Sequence, residues 1–258
     1  MRETTMDYRK LTVFFAAFSC CLAFASMVRG ETADIAMAIA AESNPVSPQV
    51  TTDEMRRIVR DNSAIVLDTR THAEFDAGHL PNAHVIDGAP DVRLAAVDKL
   101  TKGNKAAALV LYCNGPHCQA SRRFATALKD AGYSNVRRYQ LGIPVWRALG
   151  EPLVIETAGI TRVFSHDRTA VFIDVRPQSD FSKSTVTGAV NAPIDEVVSG
   201  KMKKPPFPLD DFNRRIVLFG ADGADARKFA DYMSGRPWHN VVFYAGRYEV
   251  LAAALKQK

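Results

Sequence analysis

The sequence predicts an α/β protein of two domains, each a parallel sheet flanked by helices, and three observations carry that expectation. The 258-residue chain is 47% hydrophobic and 24% charged, an ordinary globular composition with room for two medium domains. Continuous apolar runs such as "AIVLD" end in polar residues and alternate with stretches of helical periodicity, which is the pattern of strands buried on both faces. The whole pattern then recurs once, its matching blocks about 105 residues apart. The formal net charge of +5 is modest, and Lys and Arg are spread along the chain instead of gathering in runs. That distribution argues against a nucleic-acid partner and leaves a mild bias towards small anions.

At the N-terminus, Arg9 and Lys10 precede the apolar run "LTVFFAAFSCCLAF", and Ala23 and Ala25 stand as the small residues of an A-x-A site. Residues 1–25 are therefore expected to be a secretory signal peptide cut after Ala25. The mature chain would then be periplasmic or secreted, with no membrane span. An uncleaved anchor is the competing reading, because the run from Leu11 to Val28 is nearly long enough to cross a bilayer. Cleavage removes Cys20 and Cys21, so Cys113 and Cys118 become the whole thiol chemistry of the mature chain. Residues 26–49, Ala-rich and Pro-containing, read as a linker.

The first domain is expected over 50–155. Thr51 with Glu54 three residues on reads as a capping box opening a short amphipathic helix, and "AIVLDTR" as the first buried strand. "ALVLYC" is a second strand, ending at Cys113. Ser121 is then expected to cap a helix whose inward positions are Phe124, Ala127, Leu128 and Ala131, with Gly132 as its stop. The second domain, expected over 160–258, repeats these blocks. "TAVFIDVR" answers "SAIVLDTR", so Asp68 and Arg70 match Asp174 and Arg176, while Phe75 matches Phe181. "RIVLFG" answers "ALVLYC", and "NVVFYAGRYEVL" answers "NVRRYQLGIPVW".

"LYCNGPHCQASRR" thus lies between a strand end and a helix start, where open α/β sheets bind ligands. Loop amides and the positive end of the helix dipole converge there, so a thiol at that point is expected to have a lowered pKa. Cys113, the last residue of its strand, is placed to be a nucleophile, with Arg122, Arg123 and His117 adding positive potential for an anion. Other chemistries fit the spacing poorly. A cysteine phosphatase needs Arg six residues after its nucleophile, and position 119 is Gln. A thioredoxin-type site has two residues between its thiols where this loop has four. Zinc needs further paired Cys or His, so no metal site is expected.

From Val50 to Leu255 the chain resembles a tandem rhodanese-homology protein, a sulfurtransferase relative. The resemblance rests on "LDTRTHAEFDAGHLPNAHVID", on "LYC" before the loop and on "YQLGIPVW" after it, with a C-N-G-P-x-C loop in the first domain. It implies a cysteine that takes sulfane sulfur as a persulfide and passes it to a thiophilic acceptor, with no cofactor. Cys113 matches the catalytic cysteine, while Asp68 and Arg70 match a D-x-R pair expected to support the loop. The implied donor is a small anion such as thiosulfate, and the implied acceptor is cyanide or a small or protein thiol. Asn114, Gly115, His117, Gln119, Ser121, Arg122 and Arg123 are the residues expected to bind the donor.

Two departures matter. Gly220 stands where Cys113 stands in the first repeat, and Asp222 and Asp225 follow it, so the second domain is expected to be catalytically silent. From Cys113 to Phe124 the first loop is also two residues longer than the second loop from Gly220 to Phe229, and the insertion brings in Cys118. The internal repeat favours Cys113 over Cys118 as the nucleophile. A curved loop can bring the two Cα atoms within disulfide range, about 4.4–6.8 Å. Cys118 then reads as a resolving cysteine, a redox lock or a free buried thiol. The alternative function is a thiol/disulfide redox or sulfur-carrier module built on the Cys113/Cys118 pair.

Overall fold

A computed structural model describes residues 45–256, so the expected signal peptide and most of the expected linker lie outside the described residues. Both sheets belong to one compact unit beginning at Val46. Among the described residues no helix is long and apolar enough to cross a membrane.

Thr51 opens α1 (Thr52–Asp61) by accepting a hydrogen bond from the Glu54 amide. Only half of the expected capping box forms, because the Glu54 carboxylate is drawn to Arg137. The chain continues through β1 (Ile65–Asp68), α2 (His72–Ala77), β2 (Ala83–Val85), α3 (Pro90–Thr101), β3 (Leu109–Tyr112), α4 (Ala120–Asp130), β4 (Val136–Tyr139) and α5 (Gly142–Ala148). These strands form a parallel sheet in the order β2-β1-β3-β4. The second half runs β5 (Leu153–Ile155), α6 (Thr157–His166), β6 (Val171–Asp174), α7 (Gln178–Lys183), β7 (Val190–Asn191), α8 (Ile194–Val198), β8 (Ile216–Phe219), α9 (Gly223–Met233), β9 (Val241–Tyr244) and α10 (Tyr248–Lys256). Its parallel sheet has the order β5-β9-β8-β6-β7.

The two orders superpose strand for strand, and the match extends to the edges. Gln49 bridges Arg138 in parallel beside β4, as β5 does beside β9. Both domain ends therefore differ from the sequence expectation. The last linker residues are part of the fold, with Ser47 buried, and Leu153–Ile155 belongs to the second sheet instead of the first domain expected over 50–155. Three apolar residues carry no mark of which sheet they join; pairing with β9 decides it.

Alternation along each strand explains how two sheets share one core. Val66, Val110, Tyr112 and Tyr139 face a central cluster that also receives Phe172, Val217, Phe219, Val242 and Tyr244. Their neighbours Leu67, Leu109, Leu111 and Val136 pack on α4 through Phe124, Ala125 and Leu128. In the second sheet Ile173, Ile216, Leu218, Val241 and Phe243 do the same against Phe229 of α9. The halves are also stitched by polar groups: the His79 amide donates to the Val154 carbonyl at 3.0 Å, and the Val154 amide donates back at 2.8 Å. The His79 ring stacks on Phe75, and its Nε2 lies 3.2 Å from Glu156 Oε1. That contact holds the Glu156 carboxyl below its ordinary range against the opposing effect of burial. A carboxyl lowered in the fold stabilises it above the unfolded pKa and loses that contribution as pH falls through the folded value. Unfolding followed across mildly acid pH is therefore expected to show a steeper loss for the wild type than for Glu156→Gln.

Candidate active site

Tyr112, the last residue of β3, is fixed from below before the loop begins. Its hydroxyl donates to Asp68 Oδ2 at 2.6 Å and accepts from the Leu80 amide at 3.2 Å. Its carbonyl accepts from Thr69 Oγ1 at 2.9 Å. Asp68 is fully buried and also accepts from Arg70, through Nη2 at 2.6 Å, Nε at 2.9 Å and the backbone amide at 3.0 Å. Arg70 spends a further donor on the Gly78 carbonyl at 2.7 Å. Burial pulls the Arg70 pKa down, but Asp68 more than offsets it, so the guanidinium is held charged. Burial, followed by the Asp68 charge, pushes the Tyr112 hydroxyl well above its ordinary value. Asp68 and Arg70 thus brace the strand end beneath Cys113 and are not part of the loop surface.

The second domain repeats the brace with one exchange. Arg176 donates to Asp174 as Arg70 does to Asp68, but Phe219 replaces Tyr112 and has no hydroxyl. Thr185 Oγ1 donates to Asp174 Oδ2 at 2.8 Å in its stead.

Beyond Tyr112 the loop turns sharply. Cys113 is 2% exposed and is joined to half-buried Cys118 by a disulfide, with the Cα atoms 6.2 Å apart. The turn uses the positive φ of Gly115, 95°, and the Cys118 amide donates to the Gly115 carbonyl at 3.0 Å. Among the described residues the amides of Asn114, Gly115 and His117 have no hydrogen-bond acceptor, so the loop keeps N–H groups for an anion. His117 and Gln119 are exposed at its rim. Asn114 Nδ2 donates to Glu74 Oε1, and Glu74 closes a capping box with Thr71 at the start of α2. Burial raises the Glu74 pKa, but hydrogen bonds from Asn114 and Thr71 outweigh it and hold the carboxyl below its ordinary range.

The helix after the loop begins two residues earlier than expected. Gln119 is its N-cap without a side-chain bond, and Ser121 sits inside the first turn. Ser121 does not cap the helix because Arg138, buried on β4, donates to its hydroxyl from Nη2 at 3.2 Å and from Nε at 3.3 Å. The serine hydroxyl is consequently turned into the protein. Arg122 is partly buried and Arg123 exposed in the same turn. Arg93 of α3 lies over the Phe124 ring, 4.1 Å from its centroid. Burial lowers its pKa, and the charge of Arg123 adds to this against the pull of Asp87. A second cation therefore stands beside Arg123.

Sequence reasoning missed Glu74, Arg93, Arg138 and Gly142. Gly142 opens α5 at φ 58°, and a Cβ there would lie 2.1 Å from the Cys113 carbonyl oxygen and 2.7 Å from the Gly115 amide nitrogen. The "LGIP" segment is therefore a wall of the loop, and the Ile143 amide donates to the Cys113 carbonyl at 3.2 Å. Gly142→Ala is expected to lose at least about 1–2 kcal/mol from the left-handed backbone alone. It would also displace the loop. Thermal unfolding and thiol accessibility at Cys113 in the reduced protein check both effects.

The loop of the second domain packs tightly around Gly220. A Cβ on Gly220 would meet Asp225 Cβ at 3.0 Å and the Asp222 carbonyl oxygen at 3.1 Å. Asp222 caps α9, accepting from the Ala224 amide at 2.9 Å. A side chain at position 220 would therefore need its neighbours to give by a few tenths of an ångström.

Comparison with known proteins finds that a family model described as a rhodanese-like domain matches residues 51–149 and 162–254. An HTH-type transcriptional regulator of Mycobacterium tuberculosis is 31% identical over 121 residues, covering 47% of this chain and 51% of the relative. A tRNA uridine(34) hydroxylase of Hamiltonella defensa is 32% identical over 93 residues, covering 35% of this chain and 25% of the relative. The chain thus spans about half and about a quarter of the length of these curated relatives. Among solved structures, a thiosulfate sulfurtransferase from Pseudomonas aeruginosa covers 82% of this chain and 43% of its own, at 16% identity and a TM-score of 0.33.

Proposed function

Since this chain belongs to the rhodanese-like domain family, with two copies of the domain in tandem, we propose that its first domain is a sulfurtransferase working through Cys113. One observation carries the reading: Cys113 follows directly on strand β3 and opens a loop in which, among the described residues, three amides have no protein acceptor, while Gly220 holds the same place in the second domain. An oxyanion such as thiosulfate suits that set of N–H donors, with Arg123 and Arg93 adding positive potential.

The Cys113 thiolate attacks the outer sulfur of thiosulfate, the S–S bond breaks, and sulfite leaves with the bond's electron pair. Cys113 then carries a persulfide anion, and the loop amides stabilise the charge. Cyanide or a thiol takes the outer sulfur and returns the thiolate, so no electrons are gained or lost over the cycle. The disulfide form holds Cys113 out of this cycle, and a thiol reductant must open it first. Export to the periplasm or beyond, resting on the N-terminal apolar run, gives such a lock a use in an oxidising compartment.

The disulfide also favours a second reading. Cys118 can attack the inner sulfur of a Cys113 persulfide, expelling hydrosulfide and re-forming the bond. Under that scheme a partner dithiol reopens the loop disulfide and becomes a disulfide itself, and hydrosulfide is the by-product. Thiocyanate formation from thiosulfate and cyanide, measured before and after reduction, separates the two. Turnover that appears on reduction and persists through many cycles supports sulfur transfer; a single burst that stops until fresh thiol is added supports the redox module.

A further inference from the structure

The second domain has no nucleophile, yet it walls a cleft beside the loop. Helix α5 starts at the loop through the Ile143 amide, and four residues on Arg147 reaches the N-terminal edge of the second sheet. There its Nε donates to the His239 carbonyl at 3.5 Å. Arg215, the residue before β8, borders the same cavity of about 160 Å³, together with Ile143 and Asn240. Among the described residues Arg147 has no carboxylate partner, and Arg215 has one ion pair, to Asp167 at 3.5 Å. Burial, then the charge of Arg215, lowers the Arg147 pKa, so the two like charges are close enough to repel. Glu74 also lines the cavity as a charged carboxylate held by Asn114 and Thr71, and Arg70 lines it too, so cations outnumber the one anion there.

We infer that this cleft is an oxyanion subsite shared by both domains, in which Arg147 and Arg215 hold the carboxylate or sulfonate of a small thiol acceptor. The inference rests on the sulfurtransferase reading above. One turn of α5 separates the loop contact from Arg147, about 5.4 Å along the axis. An acceptor whose anionic group lies a few bonds from its sulfur suits that offset. Its thiolate attacks the outer sulfur of the protonated Cys113 persulfide, taking that sulfur as a new persulfide while Cys113 leaves as thiolate. The silent domain is then a specificity element, since Arg215 is its contribution to the site.

Two measurements on the reduced full chain test this. Calorimetric titration with propane-1-sulfonate, which has no thiol, is expected to show binding that Arg147→Gln and Arg215→Gln each weaken about tenfold or more, and that the lysine variants partly restore. With 3-mercaptopropionate as acceptor the same variants are expected to raise KM while leaving kcat, and to leave both unchanged for neutral 2-mercaptoethanol. No binding by the wild type, or equal affinity in wild type and glutamine variants, overturns the subsite whatever the activity. Sulfonate binding that depends on both arginines in a protein that never gains sulfur from thiosulfate keeps the subsite and rejects the sulfurtransferase reading instead.

Discussion

Cys113→Ser protein is expected to form no thiocyanate from thiosulfate and cyanide, whereas Cys118→Ser protein is expected to turn over without prior reduction. The asymmetry follows from the fold. Cys113 is held at the end of β3 by the Tyr112 contacts below it and by the Ile143 amide beside it. Cys118 sits half-buried in the part of the loop that the second domain lacks, one residue before the helix N-cap. A serine hydroxyl at 113 is a far weaker nucleophile than a thiolate and cannot carry sulfane sulfur, so its loss is not partial. Removing Cys118 takes away the partner that ties up Cys113, so the reductant requirement disappears with it. Initial rates with and without a thiol reductant, for wild type and both variants, check the pattern.

The largest effect on stability is expected from Asp68→Ala. The substitution leaves the buried Arg70 guanidinium and the Tyr112 hydroxyl without their acceptor, and breaking a buried charge pair from one side costs about 3–5 kcal/mol. Asp174→Ala removes the corresponding acceptor of Arg176 and is expected to cost a similar amount. The functional consequences are expected to differ, because only Asp68 supports the strand that leads into Cys113. Urea unfolding of both variants is expected to show comparable losses, while sulfur transfer measured under native conditions falls for Asp68→Ala and holds for Asp174→Ala.

The strands and the duplication were legible because they depend on local composition. Runs such as "ALVLYC" and "RIVLFG" are apolar on both faces, and the two sheets do bury them on both faces. The supporting role expected of Asp68 and Arg70 came from the family resemblance; the structure adds the contacts, which run between residues only two apart in the chain. Contacts made across the chain were not legible. Glu74 meets Asn114 over 40 positions. Arg138 reaches Ser121 from a neighbouring strand, and nothing near Ser121 distinguishes a helix cap from an acceptor for a buried guanidinium. Gly142 matters only because another segment's carbonyl passes where its side chain would be. Arg147 and Arg215 come together only when the domains dock. Even the extent of each domain depended on pairing that three-residue segments do not advertise, as Leu153–Ile155 illustrates.

The most direct test of the central claim is where sulfur goes first. Reduced wild-type protein is mixed with thiosulfate, the thiols are blocked under mild conditions, and the peptide holding Cys113 and Cys118 is fragmented in a mass spectrometer. The account predicts one added sulfur atom on Cys113, with the same result in Cys118→Ser protein. An added sulfur on Cys118, or one that persists in Cys113→Ser protein, would contradict it.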